Sequence, residues 1–278
     1  MLSLEEIIFH ALKEDIGNGD HTSLSCIPPA AMGRAKLTAK EDGVLAGVKV
    51  AEKVFKTLDN STRFKALIKD GEKITKGDVV FEVEGKSLSL LTAERLALNF
   101  LQRMSGIATK TAYYVSLIDG SGAKLLDTRK TTPNLRLLEK MAVKIGGGYN
   151  HRLGLYDMIM IKDNHINFAG GISKAVERTV KYLKENGLDL KIEVEVRSFD
   201  EIDEVISTNA VQRIMLDNFS PADLKRAVKY IDKRLETEAS GGITEKNIRE
   251  YALTGVDFIS VGALTHHIKS LDLSLNAF

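Results

Sequence analysis

Basic side chains gather in one stretch of this sequence. Between Arg129 and His165, seven cations (Arg129, Lys130, Arg136, Lys140, Lys144, Arg152 and Lys162) stand against Glu139, Asp157 and Asp163, an excess of four positive charges. The 278-residue chain as a whole carries a net charge of only +1, so no overall field would draw it onto nucleic acid or an anionic membrane. An anionic ligand would have to be met locally, and phosphate or carboxylate is what clustered guanidinium and ammonium groups recognise.

The first piece is Asp127–Pro133, DTRKTTP. Here Thr128, Arg129 and Lys130 crowd the turn between the apolar run AKLLD and a helix opened by Pro133. A lone basic pair is more often an indifferent loop charge, but set among several hydroxyl donors it suits an anion. Next, Gly146, Gly147 and Gly148 precede Asn150, His151 and Arg152. Such glycines serve either a tight turn or a close backbone approach to a ligand, and His151 reads equally as a satisfied core histidine or a binding one. Arg152 favours function, because a guanidinium holds a carboxylate with two parallel hydrogen bonds. Lys162 closes the apolar run MIMI, so its stem belongs among core side chains and its ammonium at the rim. That placement is costly without an anion, which is either a ligand or the neighbouring Asp163.

Glu195 and Asp217 lie 22 residues apart on successive apolar runs, which brings two carboxylates to one rim. Facing phosphates they suggest Mg²⁺, a hard cation held by carboxylates and substrate oxygens; ion pairing with Lys130 or Lys162 accounts for them equally well. Ser240, Gly241 and Gly242, then Val261, Gly262 and Ala263, form two glycine turns one repeat unit apart. Phosphate-binding barrels use such paired turns to take a phosphate on backbone N–H groups.

What must position these residues is a series of strands and helices. From about residue 123, the runs AKLLD, YDMIMIK, LKIEVEV, RIMLD, LETEAS and DFISVG alternate with helical patterns such as ISKAVERTVKYLKEN and PADLKRAVKYIDKRL. Parallel strands with crossover helices follow, and Thr128 to Lys130, Lys162, Glu193 and Glu195, Asp217, Ser240 to Gly242 and Val261 to Ala263 all fall at the carboxyl ends of these runs, where barrel loops converge on one site. Ser220 before Pro221 and Thr244 before Glu245 read as helix starts. The first part of the chain mixes a helix ending near Gly17 with strand-like runs and the hairpin-like DGEKITKGDVVFEVEG. A long helical run follows from Thr92 to Ile118, with a break at Ser105–Gly106. The expected fold class is therefore α/β: an incomplete TIM-like α/β barrel over 116–278, with a smaller N-terminal α+β domain over 1–115 that includes the bridging helix. The extreme C-terminus is open to packing back on that domain. A hydrophobic fraction of 44% and no long apolar run point to a soluble chain, and the single Cys26 to a reducing, cytoplasmic setting.

Together these segments resemble the quinolinate phosphoribosyltransferases, also called decarboxylating nicotinate-nucleotide pyrophosphorylases. The resemblance spans essentially the whole chain: EDIGNGD followed by Thr22, TAER, QRMSGIAT, DTRKTTP, GGGYNHRLGLYDMIMIKDNH, EVEV, LDNF, ASGGI and VGALTH. It implies a pentosyltransferase joining quinolinate to phosphoribosyl pyrophosphate, with loss of pyrophosphate and CO₂, to give nicotinate mononucleotide for NAD biosynthesis. It further implies that Arg95, Arg129, His151, Arg152 and Lys162 hold the pyridine dicarboxylate. Lys130 then serves phosphoribosyl pyrophosphate, Glu195 and Asp217 the ribose hydroxyls and Mg²⁺, and Ser240, Gly241, Gly242 and Gly262 the 5′-phosphate. Arg95 would come from a partner subunit, in a homodimer or higher even oligomer with shared active sites. Two other readings use the same residues: a paralogous phosphoribosyltransferase fold acting on another acid or base, and a non-catalytic binder of phosphate ligands. Affinity for quinolinate over nicotinate separates the first, and a turnover assay the second.

Overall fold

The computed structural model describes residues 2–278. The first half holds α1 (Leu4–Ile16), α2 (His21–Cys26), β1 (Met32–Ala39), β2 (Gly43–Val44), α3 (Val48–Leu58), β3 (Arg63–Ala66), β4 (Lys73–Ile74), β5 (Val79–Lys86) and α4 (Ser87–Leu117). Then come β6 (Lys124–Leu126), α5 (Arg136–Ile145), β7 (Ile159–Ile161), α6 (Asp163–Ala169), α7 (Ile172–Glu185), β8 (Ile192–Val196) and α8 (Phe199–Ser207). The chain closes with β9 (Arg213–Asp217), α9 (Pro221–Ile231), β10 (Glu236–Ser240), α10 (Ile248–Ala252), β11 (Phe258–Ser260), α11 (Ala263–His266) and β12 (Leu273–Ala277). Two compact units result, one made of the chain up to Tyr113 with 130–147 and 264–278, the other of 114–129 and 148–263.

The first unit is α+β. Its four-stranded sheet runs β12-β1-β5-β3 with antiparallel neighbours, so the C-terminal strand, 264–278 being part of this unit, pairs with β1 from Ala35 opposite Ala277 to Ala39 opposite Leu273. Phe55 of α3, Phe64 of β3 and Phe81 of β5 form one aromatic cluster, with ring centroids 4.5–6.2 Å apart. Helix α1 opens on a capping box in which Ser3 Oγ accepts from the Glu6 N–H and the Glu6 carboxylate accepts from the Ser3 N–H.

Helix α4 does not break at Ser105–Gly106. It runs unbroken for 31 residues, and both residues serve packing instead. Ser105 Oγ exchanges hydrogen bonds with the Ala46 N–H and C=O at 3.0 and 3.1 Å, while a Cβ on Gly106 would sit 2.2 Å from the Lys269 carbonyl oxygen. Neither does Pro133 begin α5. Asn134 takes a φ of 64° and the helix starts three residues after the proline, at Arg136. Thr244 likewise stands ahead of a turn, in which Asn247 Oδ1 accepts from its N–H, and α10 begins at Ile248.

The second unit is α/β. Its six strands run β6-β11-β10-β9-β8-β7, all parallel, each at the position of an apolar run. The first two strands in sequence, β6 and β7, are the two edges, and among the described residues no pairing joins them, so the barrel is incomplete. Crossover helices α7, α8 and α9 each bury one apolar stripe, such as Ile202 and Val205 of α8 or Leu224, Ala227 and Ile231 of α9. Ser220 caps α9, with Pro221 in its first turn, as its sequence signal requires.

Strand pairing fixes which side chains share a face. Met160 pairs with Glu193, Glu193 with Arg213, Arg213 with Glu236, and Ser240 with Asp217. By the two-residue alternation of a strand, Lys162, Glu193, Glu195, Asp217, Glu238 and Ser240 therefore lie on one face, opposite the apolar Val194, Val196, Ile214, Leu216 and Ala239. A parallel sheet buried on both faces ordinarily reads as continuous Val, Ile and Leu, so three buried glutamates on this face need a reason.

Candidate active site

The turn after β6 is built around a fully buried carboxylate. Asp127 accepts from Asn150 Nδ2 at 2.6 Å and from the His151 N–H at 2.8 Å, and Tyr149 bridges to Leu126, so 149–151 lie alongside the strand end. The following loop closes on Asp157, whose two oxygens accept from the N–H groups of Leu153 and Gly154 at 2.7 and 2.9 Å. Arg152, half-buried, emerges from this frame and donates to the Met158 carbonyl at 3.4 Å. Burial first, and then the positive charge of Arg129, lowers its proton affinity from the usual arginine value. A guanidinium remains charged in proteins, so two cations have been brought together, an arrangement that an anion would stabilise.

Across the same face, the Lys162 ammonium meets Glu195 Oε2 at 3.0 Å, the pairing with a carboxylate that its position demands, though with Glu195 rather than Asp163. Glu195 is 7% exposed, and its other oxygen lies 3.3 Å from the Arg197 guanidinium. Arg197 also reaches Asp217 Oδ2 and Asp163 Oδ2, each at 3.3 Å, so it bridges the two carboxylates that the sequence singles out. Asn218 donates to Asp217 Oδ2 at 2.8 Å, and its own N–H donates to the Ser240 carbonyl at 2.8 Å. That fixes the Ser240–Gly242 turn beside Asp217. Gly241, at a φ of 92°, lies so close that a Cβ would stand 2.2 Å from Asn218 Oδ1. Val261 donates to the Leu126 carbonyl at 3.0 Å, which sets Gly262 and Ala263 near the end of β6, and Thr128 follows that strand half-buried.

The remaining two predicted residues, Arg95 and Lys130, belong to the first unit and are exposed, Arg95 on α4. Within that unit the Lys130 carbonyl accepts from Thr265 Oγ1 at 2.7 Å, and the Thr132 N–H donates to the buried Glu139 at 3.2 Å. Glu139 is in turn paired with Arg103, so this part of DTRKTTP is held by fixed charges.

A second group lies on the same face one alternation deeper. His151 is 7% exposed, and its Nε2 lies 3.1 Å from Glu193 Oε2 and 3.3 Å from Glu238 Oε2, with both glutamates fully buried. Arg213 reaches Glu238 at 3.5 Å and pairs with Glu236 at 3.0 Å. Burial and the charge of Glu238 push the Glu193 carboxyl up to about 7, whereas for Glu238 burial is outweighed by His151 and the carboxyl is lowered. On His151, burial works against protonation, but the two carboxylates prevail and raise it to about 9. The Arg152 N–H lies 2.7 Å from Nδ1.

Sequence reasoning passed over Glu238 and Arg197. Each stands two residues from a selected site residue, Ser240 and Glu195, which in a strand means the same face; that spacing was the available signal. Two sets of side chains offer donors for a cation: the oxygens of Glu195 and Asp217, which suit Mg²⁺, and the atoms of His151, Glu193 and Glu238, all within 4.8 Å of one another.

An open parallel α/β sheet whose strand ends gather arginines, lysine, carboxylates and glycine turns defines the class, a barrel-type domain built to take an anionic, phosphate-bearing ligand. Its sequence matches the quinolinate phosphoribosyl transferase C-terminal domain over residues 107–276 and the N-terminal domain of the same family over 20–105. The chain belongs to the quinolinate phosphoribosyl transferase family. It is 46% identical over 288 residues to quinolinate phosphoribosyltransferase [decarboxylating] 2b, mitochondrial, of Nicotiana tabacum, covering 98% of this chain and 81% of that protein. It is 43% identical to the probable nicotinate-nucleotide pyrophosphorylase [carboxylating] of Bacillus subtilis, covering 99% and 93%. The crystal structure of NadC from Streptococcus pyogenes superposes with a TM-score of 0.93 at 41% identity, covering 100% of this chain and 99% of that one.

Proposed function

We propose that this protein transfers the phosphoribosyl group of phosphoribosyl pyrophosphate to the ring nitrogen of quinolinate and releases the 2-carboxylate as CO₂, giving nicotinate mononucleotide and pyrophosphate for NAD biosynthesis. The observation that supports this most directly is the run of charges Lys162–Glu195–Arg197–Asp217 at the strand ends, with the half-buried Arg152 lowered in proton affinity by burial and by the charge of Arg129. A dicarboxylate and a pyrophosphorylated sugar are the anions such a set of charges matches, and the family membership names them.

The cations bind and orient. Arg129, Arg152 and Lys162 hold the pyridine dicarboxylate with its nitrogen toward the anomeric carbon, and Ser240 to Gly242 with Gly262 take the 5′-phosphate on backbone N–H groups. The C–O bond to pyrophosphate breaks as the N–C bond forms, through a transition state with oxocarbenium character, and fixed positive charge stabilises the departing pyrophosphate. The ring nitrogen is then cationic, so loss of CO₂ leaves a carbanion beside positive charge, which takes up a proton from solvent at the same carbon; the substrate accepts its own electrons and needs no protein nucleophile. Mg²⁺, held by Glu195 and Asp217 together with substrate oxygens, supplies further charge neutralisation when bound. The oxygen-only donor set fits it, and Lys162 and Arg197 pair with the same carboxylates. Arg95 and Lys130 complete the ligand shell, Arg95 from a second subunit of a homodimer. Among the described residues no helix is long and apolar enough to cross a membrane, and a cytoplasmic setting is part of this reading.

Incubation with quinolinate, phosphoribosyl pyrophosphate and Mg²⁺ should yield nicotinate mononucleotide and CO₂ in equal amounts. Product from nicotinate but none from quinolinate would instead identify a related transferase.

A further inference from the structure

The stretch QRMSGIAT of α4 carries one charge, Arg103, and that charge is directed at the turn DTRKTTP. Its neighbours serve packing: Gln102 Nε2 donates to the Leu273 carbonyl at 3.0 Å, and Ser105 and Gly106 meet Ala46 and Lys269. Arg103 Nε and Nη2 donate to Glu139 Oε1 at 2.9 and 2.5 Å. The same Nη2 donates to Thr132 Oγ1 at 2.7 Å, with a longer contact of 3.5 Å to the Thr265 carbonyl. Glu139, 1% exposed on α5, turns its second oxygen to the Thr132 N–H at 3.2 Å. Thr265, buried on α11, donates from Oγ1 to the Lys130 carbonyl at 2.7 Å, and Arg136 Nε donates to Thr131 Oγ1 at 3.0 Å. Lys130, Thr131 and Thr132 are thus each held, and the exposed Lys130 stands on a backbone fixed from α4, α5 and α11.

We propose that Arg103, Glu139 and Thr265 are positioning residues for phosphoribosyl pyrophosphate: they fix the 130–132 backbone so that the Lys130 ammonium is already placed when the pyrophosphate group arrives. Stability alone does not account for the Arg103–Glu139 pair. A buried ion pair gains little over well-packed apolar residues of equal volume, whereas a planar guanidinium with fixed donor directions sets geometry. Those directions converge on one residue. Arg103 holds the Thr132 hydroxyl directly and, through Glu139, the Thr132 N–H, while Thr265 holds the Lys130 carbonyl from the other side. A lysine has a long flexible stem that an anion must immobilise, and a backbone fixed beforehand removes part of that entropic cost.

This inference rests on the reading that Lys130 serves phosphoribosyl pyrophosphate, and the experiment keeps the two apart. The KM for each substrate, kcat and the melting temperature are measured for Thr265→Val, Thr132→Val, Arg103→Lys and Lys130→Ala, and for the conservative Thr265→Ser and Thr132→Ser. The valines remove only a hydroxyl, so they keep the test open even if Arg103→Lys fails to fold. Each valine variant and Arg103→Lys should raise the KM for phosphoribosyl pyrophosphate about tenfold and leave that for quinolinate within about threefold, since small misplacement of a binding group is costly. Melting temperatures of the valine variants should fall by no more than about 5 °C, as for the loss of one hydrogen bond. The serine variants, which keep the hydroxyl, should behave as the unmodified chain. In a Lys130→Ala background Thr265→Val should lower kcat/KM for phosphoribosyl pyrophosphate no further, because its route through Lys130 is gone. Valine variants with both KM values unchanged, or with both raised together, overturn the proposal and leave the network a purely structural one. An effect of Thr265→Val that persists in full without Lys130 overturns it as well. If Lys130→Ala itself leaves the KM for phosphoribosyl pyrophosphate unchanged, the reading of Lys130 fails first and the proposal falls with it.

Discussion

The site depends on charges that sit close to others of both signs, and each pairing assigns a different consequence to its loss. Arg152 is half-buried beside Arg129, and Lys162 holds Glu195 at 3.0 Å. A charge-assisted hydrogen bond is worth about 1.5–3 kcal/mol, so Arg152→Ala and Lys162→Ala should each weaken quinolinate binding by roughly 10- to 150-fold with the fold intact. Calorimetric titration checks this, and unchanged affinity in both variants removes the cluster from the substrate site. The proposed function gives Glu195 and Asp217 to the other substrate. Since Arg197 bridges them at 3.3 Å to each, Glu195→Ala or Asp217→Ala should raise the KM for phosphoribosyl pyrophosphate far more than that for quinolinate. Turnover that persists in a strong chelator would show that Mg²⁺ has no part in that effect.

At the scale of elements, the long helix α4 shows how one glycine is decided by its neighbours. In isolation Gly106→Ala should stabilise a helix by about 1 kcal/mol. Here the new Cβ would meet the Lys269 carbonyl oxygen at 2.2 Å, and backbone on both sides has no side-chain rotamer with which to yield. Overpacking of this kind costs about 1–3 kcal/mol, so the clash should win and Gly106→Ala should lower the melting temperature. A rise in melting temperature would mean that the chain at Lys269 moves aside freely. Local signals in the strands hold better than those in this helix. Each apolar run from AKLLD to DFISVG became a strand of the parallel sheet, because six or so β-prone residues bounded by polar turns have few other ways to bury themselves.

The chain forms an antiparallel α+β unit and an open six-stranded parallel α/β unit, and Arg95 and Lys130 lie in the first. If Arg95 is delivered by a second subunit, inactive Arg95→Ala chains mixed with inactive Lys162→Ala chains should regain part of the activity. In a two-fold dimer with shared sites, the mixed species carries both lesions in one site and neither in the other. Hybrids that form, as native mass spectrometry would reveal, yet stay inactive would place Arg95 in its own subunit's site or remove the dimer from the reading.

Sequence alone determined what local chemistry determines. The βα alternation, the helix cap at Ser220, the cation-rich turns and the glycine pairs are set by residues a few positions apart, and their physics is complete within a turn or a strand. It also put Glu195, Asp217, Lys162 and Ser240 at strand ends, because alternation and strand length require no partner to be known. Tertiary structure decided the rest. Arg197 became a bridge, Glu238 a partner of His151, and Ser105–Gly106 a packing surface instead of a break. Each of those outcomes is a contact between residues 20 to 163 positions apart, and only the tertiary fold brings such groups within reach of one another. For His151 the sequence left core and ligand readings level. The fold turned its Nε2 inward onto two buried carboxylates, a direction no local pattern encodes.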